Sequence, residues 1–331
     1  MRPFAVLALA IMSASAADTG NTAKSWLLVA NKGEHTLGIV DPASGKQVAA
    51  VDEGGVTGHE VIASPDGRTA YVPIYGDSGV GKPGTDGTHL VAIDLANRKI
   101  SGTVDFGRGV RPHCPMFGPK NGMLYVSTEL DQSISLIDPH SLKITGKIPT
   151  GQPESHMFSI TADGKRAYTA NVGPGTVSAL DLVGKKTIAV IPVAKHVQRM
   201  SISADDKYAF TSDVDAPRLA VIDTSSNKVK QWIELPAPGY GSAVTSDNKW
   251  LVIAIPTAHK VAAIDLATMK VAHTVDVPAA PQETLIRPDR KVAYVSCDAS
   301  SKVAEIDLAT WQVTRLIDTG KGADGLAWSG K

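Results

Sequence analysis

An aromatic or apolar residue is followed by an aspartate 13 positions later again and again along this chain. The pairs are Leu28 and Asp41, Tyr125 and Asp138, Tyr168 and Asp181, Phe210 and Asp223, Val252 and Asp265, and Tyr294 and Asp307. A seventh pair, Tyr71 and Asp94, is 23 apart, so that copy carries ten extra residues. Twelve residues before the aromatic position stands a second landmark: His59, His113, His156, Gln198, Tyr240 and Gln282, with Ala323 as the seventh. A period near 42 residues makes each copy one small supersecondary unit. Within a unit the pattern reads as four short strands separated by turns. Seven four-stranded units point to an all-β fold, a seven-bladed β-propeller.

The two ends of the array support closure. The first copy, "WLLVANKGEHTLGIVDPASGKQVAAV", lacks an opening strand, and the chain finishes on a lone one, "ADGLAWSG". Pairing them completes the N-terminal blade and removes the exposed edges that an open array would leave. Residues 18–331 are therefore expected to form a single propeller domain. Residues 1–17 read as a cleaved secretory signal, with Arg2, an apolar run from Phe4 to Met12 and small residues at Ala14, Ala16 and Ala17. The run is too short to span a bilayer, and a periplasmic or secreted location follows.

Lys plus Arg and Asp plus Glu both number 33, so no net field draws the chain to nucleic acid or anionic lipid. No membrane span is expected. With two cysteines the fold cannot rest on a disulfide framework, and Cys114 and Cys297 are expected to be separate buried thiols. "GDSGVGKP" imitates a phosphate loop, but Pro83 stands where Ser or Thr must bind magnesium and start a helix. The ten-residue excess that contains it is expected to rise beside the channel as a flap carrying Asp77, Lys82 and Asp86. The seven repeated aspartates each precede a turn, where a carboxylate caps backbone N–H groups, so they are structural.

The segments "YVST", "YTAN", "FTSD" and "YVSC" resemble the YVTN motif of the YVTN/YncE-like seven-bladed propellers, and the wider pattern is similar to the propeller lactonases. The resemblance covers the chain from about Trp26 to Trp328. It implies that the first strand of each blade lines a central channel and that its opening residue stands at one mouth. That places His59, His113, His156, Gln198, Tyr240, Gln282 and Ala323 in a ring, with Glu60, Cys114, Arg199, Glu283 and Asp324 at the next position. Arg111, Glu154 and His196 lie in the incoming loops.

Three imidazoles from consecutive blades suit a zinc or copper ion, so His59, His113 and His156 are the metal candidates. Cys114 or Met116 would soften the site towards copper. Strand alternation predicts that only one of His113 and Cys114 faces the channel. Gln198, Tyr240, Gln282 and Glu60 are the ligand-binding candidates. The expected function is an exported binding protein with a polar channel-mouth site for a small molecule or metal. One alternative is a lactonase-type hydrolase using His113 or His156 as base with Arg111, Arg199 and Glu283. The other is a protein-interaction scaffold with a protein partner on the propeller faces.

Overall fold

In a computed structural model, which describes residues 24–330, seven four-stranded antiparallel sheets stand in a ring, each with its first strand innermost. The inner strands are Ala323–Trp328 in blade 1, Ile62–Ala63 in blade 2, Pro112–Phe117 in blade 3, Ser155–Ile160 in blade 4, Val197–Ile202 in blade 5, Ser242–Val244 in blade 6 and Pro281–Ile286 in blade 7. The signal expected at 1–17 lies outside the described residues. Among the described residues no helix is long and apolar enough to cross a membrane.

Closure follows the expected route. Ala323–Trp328 pairs with Leu27–Asn31, so strands from both ends of the repeat array share one sheet. The second and third strands of every blade carry the apolar residues, which pack between neighbouring blades. Tyr168, Phe210 and Tyr294 of the repeated aromatic column are fully buried there. Burying such large side chains supplies much of the cohesion of a fold without disulfides. Cys114 and Cys297 are both free and buried, as expected.

The aspartate column is structural in each of the seven blades. Asp41 accepts from the Ala43 N–H at 3.2 Å, Asp94 from Ala96 at 2.9 Å, and Asp138 from His140 at 2.8 Å. Asp181, Asp223, Asp265 and Asp307 repeat the bond to the residue two ahead. Each carboxylate thereby stabilises the turn that leads to its blade's outer strand.

The inner strands are not regular. In blade 3, Pro112 pairs with Thr128 and Pro115 with Val126, so His113 and Cys114 together oppose Ser127 alone. The same two-against-one bulge holds His156 and Met157 in blade 4, Gln198 and Arg199 in blade 5, Gln282 and Glu283 in blade 7, and Asp324 and Gly325 in blade 1. A bulge interrupts the alternation of faces. Both residues of each pair are thereby free to meet the channel.

Candidate functional site

This bulge corrects two expectations. His113 and Cys114 do not divide between opposite faces: His113 lines a cavity at the mouth, and Cys114 lines a second cavity deeper in the channel. In blade 1 the bulged pair begins at Asp324, so Asp324 and not Ala323 holds the ring position. The step from Gln282 to Asp324 is then 42 residues, the same as each of the three steps before it. Ala323 is fully buried among apolar neighbours.

The mouth cavity has a volume of about 150 Å³. All seven ring positions border it: His59, His113, His156, Gln198, Tyr240, Gln282 and Asp324. The sequence reading missed Lys32 and Tyr75, which also border it, and Glu129, which lies behind it. These three share a column, the fourth residue after the repeated aromatic position, where blades 4, 5 and 6 carry Val172, Val214 and Pro256. That departure within the repeat was the signal available. Ser78, Gly79 and Val80 of the long loop border the cavity as well.

Arg111 fastens that loop. Its backbone stands at φ 51°, and its guanidinium reaches Asp86 at 2.6 Å, Glu129 at 3.1 Å and the Lys82 carbonyl at 2.7 Å. The Gly81 N–H donates to Glu129 at 3.2 Å. Of the three charged loop residues, Asp86 thus serves Arg111, while Asp77 accepts from the Thr85 N–H at 2.6 Å inside the loop. Glu154 and His196 stand apart from the cavity. Glu154 accepts from the Gly173 N–H at 2.8 Å, and His196 pairs with Asp215 at 2.6 Å on the surface.

Tyr75 stands among the three histidines. Its ring centroid is 5.0 Å from His59, 5.0 Å from His113 and 5.7 Å from His156. Its hydroxyl donates to Glu129. His59 and His113 meet edge to face at 5.4 Å, whereas His113 and His156 stack at 3.7 Å. His113 and His156 are buried, and Nδ1 of each has no hydrogen-bond partner; the Glu129 carboxylate is 3.7 Å from that of His156. Burial keeps all three rings neutral. It pushes His59 down to about 4, His113 well below the usual range, and His156 down despite the opposing pull of Glu129.

The other half of the ring is ionic. Arg199 crosses the channel to Glu60 at 2.5 Å, Glu283 at 2.7 Å and Asp324 at 3.3 Å, and its guanidinium carbon lies 4.8 Å from the Tyr240 ring centre. Lys32 adds bonds to Asp324 at 3.1 Å and Asp298 at 3.3 Å. Burial pushes Glu60 up to about 8 and Glu283 up to about 7 against the opposing pull of Arg199, with the neighbouring carboxylates adding to the rise. Burial acts on Asp324 too, but Arg199 and Lys32 outweigh it and hold that carboxyl below its ordinary value. Glycines make room at this level: a Cβ on Gly241 would fall 2.2 Å from the Gln282 carbonyl oxygen, and one on Gly325 2.6 Å from Cα of Glu60.

The sequence candidates are therefore largely brought together. His59, His113, His156, Gln198, Tyr240 and Gln282 share the mouth, while Arg199, Glu60 and Glu283 form the tier beneath it. Arg111 acts on the loop and not on the cavity. Among the described residues no group of three His, Cys, Asp or Glu is already gathered as a metal site. Imidazoles on one tetrahedral zinc would have centroids about 5 Å apart. His59 and His113 meet that separation, and the stacked His113 and His156 do not.

Residues 119–329 match the profile of a family described as Cytochrome D1 heme domain. The matched span includes His156, Gln198, Arg199, Tyr240, Gln282 and Asp324, and leaves out His59, Tyr75, His113 and Cys114. Among solved structures, a chain of Kuenenia stuttgartiensis hydrazine synthase superposes with a TM-score of 0.69 at 19% identity, covering 82% of this chain and 89% of that one. At that identity the likeness is one of fold. In all, 1703 solved chains match, so the architecture by itself selects no chemistry. No curated protein matches the chain.

Proposed function

We propose, on the premise that this chain belongs to the Cytochrome D1 heme domain family, that it is an exported binding protein whose channel mouth holds a single zinc or copper ion. The family's name carries haem, and imidazoles are suitable axial ligands for it. The room is not suitable. Pockets for drug-sized molecules begin near 300 Å³, and this cavity of about 150 Å³ is bordered by Ser78–Val80 and crossed below by Arg199. The residues present do not fit a haem, and none of the chemistry here passes through one.

The observation that carries the proposal is the meeting of three imidazoles at one cavity. Around it Arg199 and Lys32 answer Asp324, Glu60 and Glu283, and Arg111 answers Glu129, so the charged groups are engaged with one another. The three histidines beside them are neutral, and Nδ1 of His113 and of His156 has no hydrogen-bond partner. Neutral imidazole is the ligating form. His59 and His113 are spaced to share the ion. His156 completes the set once its ring leaves the His113 face and its Nδ1 turns to Glu129, the carboxylate that would fix its orientation.

Binding proteins and lactonases both occur among the propellers that the sequence resembles. The lactonase reading finds less support, because Arg199 is held by three carboxylates and Arg111 by the loop, so neither is free to hold a substrate oxyanion. Elemental analysis of the untagged, exported protein, purified without chelators and again after incubation with zinc and copper, tests the proposal. One equivalent of zinc is expected in the parent and none in a His59→Ala/His113→Ala/His156→Ala variant. A parent that stays metal-free after incubation would return the three rings to channel lining.

A further inference from the structure

Beneath Arg199 the channel opens into a second cavity of about 300 Å³. Its composition is unusual for this chain. Beyond the expected signal there are five methionines, and three of them, Met116, Met157 and Met200, border this one cavity together with Cys114. They come from the inner strands of blades 3, 4 and 5. At comparable depth the other blades offer Val61, Ile62, Ala243, Thr284 and Leu326.

The bulges place this sulfur. Cys114 and Met157 are the second residues of the bulged pairs in blades 3 and 4, directly below His113 and His156 in the chain. The two belong to one packed cluster, and Met116 lies against it. Methionine is an ordinary filler of irregular gaps. Here, however, the side chains border an open space and do not fill it. One sulfur already acts as an acceptor: Met157 Sδ receives Arg199 Nη1 at 3.7 Å. The Cys114 thiol, buried at the cavity wall, has only the long bond to the Phe158 carbonyl, 3.6 Å.

We propose that this inner cavity is a second metal site, separate from the histidine cluster, which binds monovalent copper through Cys114 and the thioethers of Met116, Met157 and Met200. Thiolate and thioether donors select Cu(I) over the harder divalent ions, and zinc gains little from thioethers. On binding, Cys114 gives up its thiol proton to solvent and the thiolate takes the ion. Copper keeps its oxidation state, and no electron moves. Glu60 and Glu283 also border the cavity, both held by Arg199.

Anaerobic titration of the full mature chain with Cu(I), against a chromophoric Cu(I) chelator, tests this. The Met116→Leu/Met157→Leu/Met200→Leu variant conserves volume and so should keep the fold, which circular dichroism and a thermal melt check. Cys114→Ser is the second variant. Both are expected to lose Cu(I) affinity by more than about tenfold, while the methionine variant keeps its zinc binding. The triple histidine variant should still take up Cu(I), and X-ray absorption of that variant should show sulfur around copper. Parent-like Cu(I) affinity in the methionine variant, or a copper shell of nitrogen and oxygen alone, overturns the proposal. Failure of the histidine site appears separately, as a parent that binds no zinc.

Discussion

The two sides of the channel are built on the same bulge and use it differently. On blades 3 and 4 it presents His113 and His156 with Cys114 and Met157, neutral, and Nδ1 of both rings is without a partner. On blades 5, 7 and 1 it presents Arg199, Glu283 and Asp324, each engaged across the axis. One side is committed to holding the ring together, and the other is left available. The irregular backbone sets where a pair of side chains points, and the residue types decide whether that pair serves stability or recognition.

The strongest way to break this contrast is to remove Arg199. Arg199→Leu leaves Glu60, Glu283 and Asp324 buried opposite one another, and breaking a buried ionic set by deleting one partner costs about 3–5 kcal/mol. Urea denaturation at pH 8 should show that loss. A cost below about 1 kcal/mol would mean that the ionic side does not brace the ring.

A smaller effect sharpens the comparison on the histidine side. Glu53 is fully buried, receives the Gly58 N–H at 2.8 Å, and leaves its other oxygen without a partner. Burial pushes it up to about 7 from 4.5, with Asp52 adding to the rise against the Gly58 bond. The folded form therefore keeps a proton that the unfolded chain has lost, so stability falls as pH rises from about 4.5 to about 7. The fall is on the order of 3 kcal/mol. Across that range the urea midpoint of the parent should fall relative to that of Glu53→Gln.

The smallest expected change comes from Tyr75→Phe. Glu129 loses the phenol donor but keeps Arg111 and the Gly81 N–H. A cost near 1 kcal/mol is expected in the same denaturation assay, with the loop still resistant to proteolysis. A loss as large as that of Arg199→Leu would show that the histidine side, too, is braced by its polar bonds.

Much of this was legible in the repeat. The 13-residue spacing sets the strands, the aspartate column sets the turns, and six of the seven ring positions follow from counting 12 residues back. The seventh did not, because blade 1 is assembled from both ends of the array, and its inner strand has no aromatic residue downstream from which to count. Asp324 became visible once the bulge fixed its register. Cys114 was misjudged because alternation is a rule for regular strands, and nothing in "RPHCPMF" announces the extra residue. Tyr75 and Glu129 lie at strand ends that the repeat leaves variable, and only their packing joins them to the histidines.

Blade 1 has a further consequence for how the protein comes into being. Asp324 meets Lys32 across 292 residues of sequence and meets Arg199 across 125. While a nascent chain is still being made, Arg199 and the neutral imidazoles face a gap where Asp324 will stand. The ring position in blade 1 is filled only when that strand pairs with Leu27–Asn31. Completion of the channel mouth is thus tied to the last act of assembly, and whatever meets the chain earlier in biogenesis finds a ring that is not yet whole.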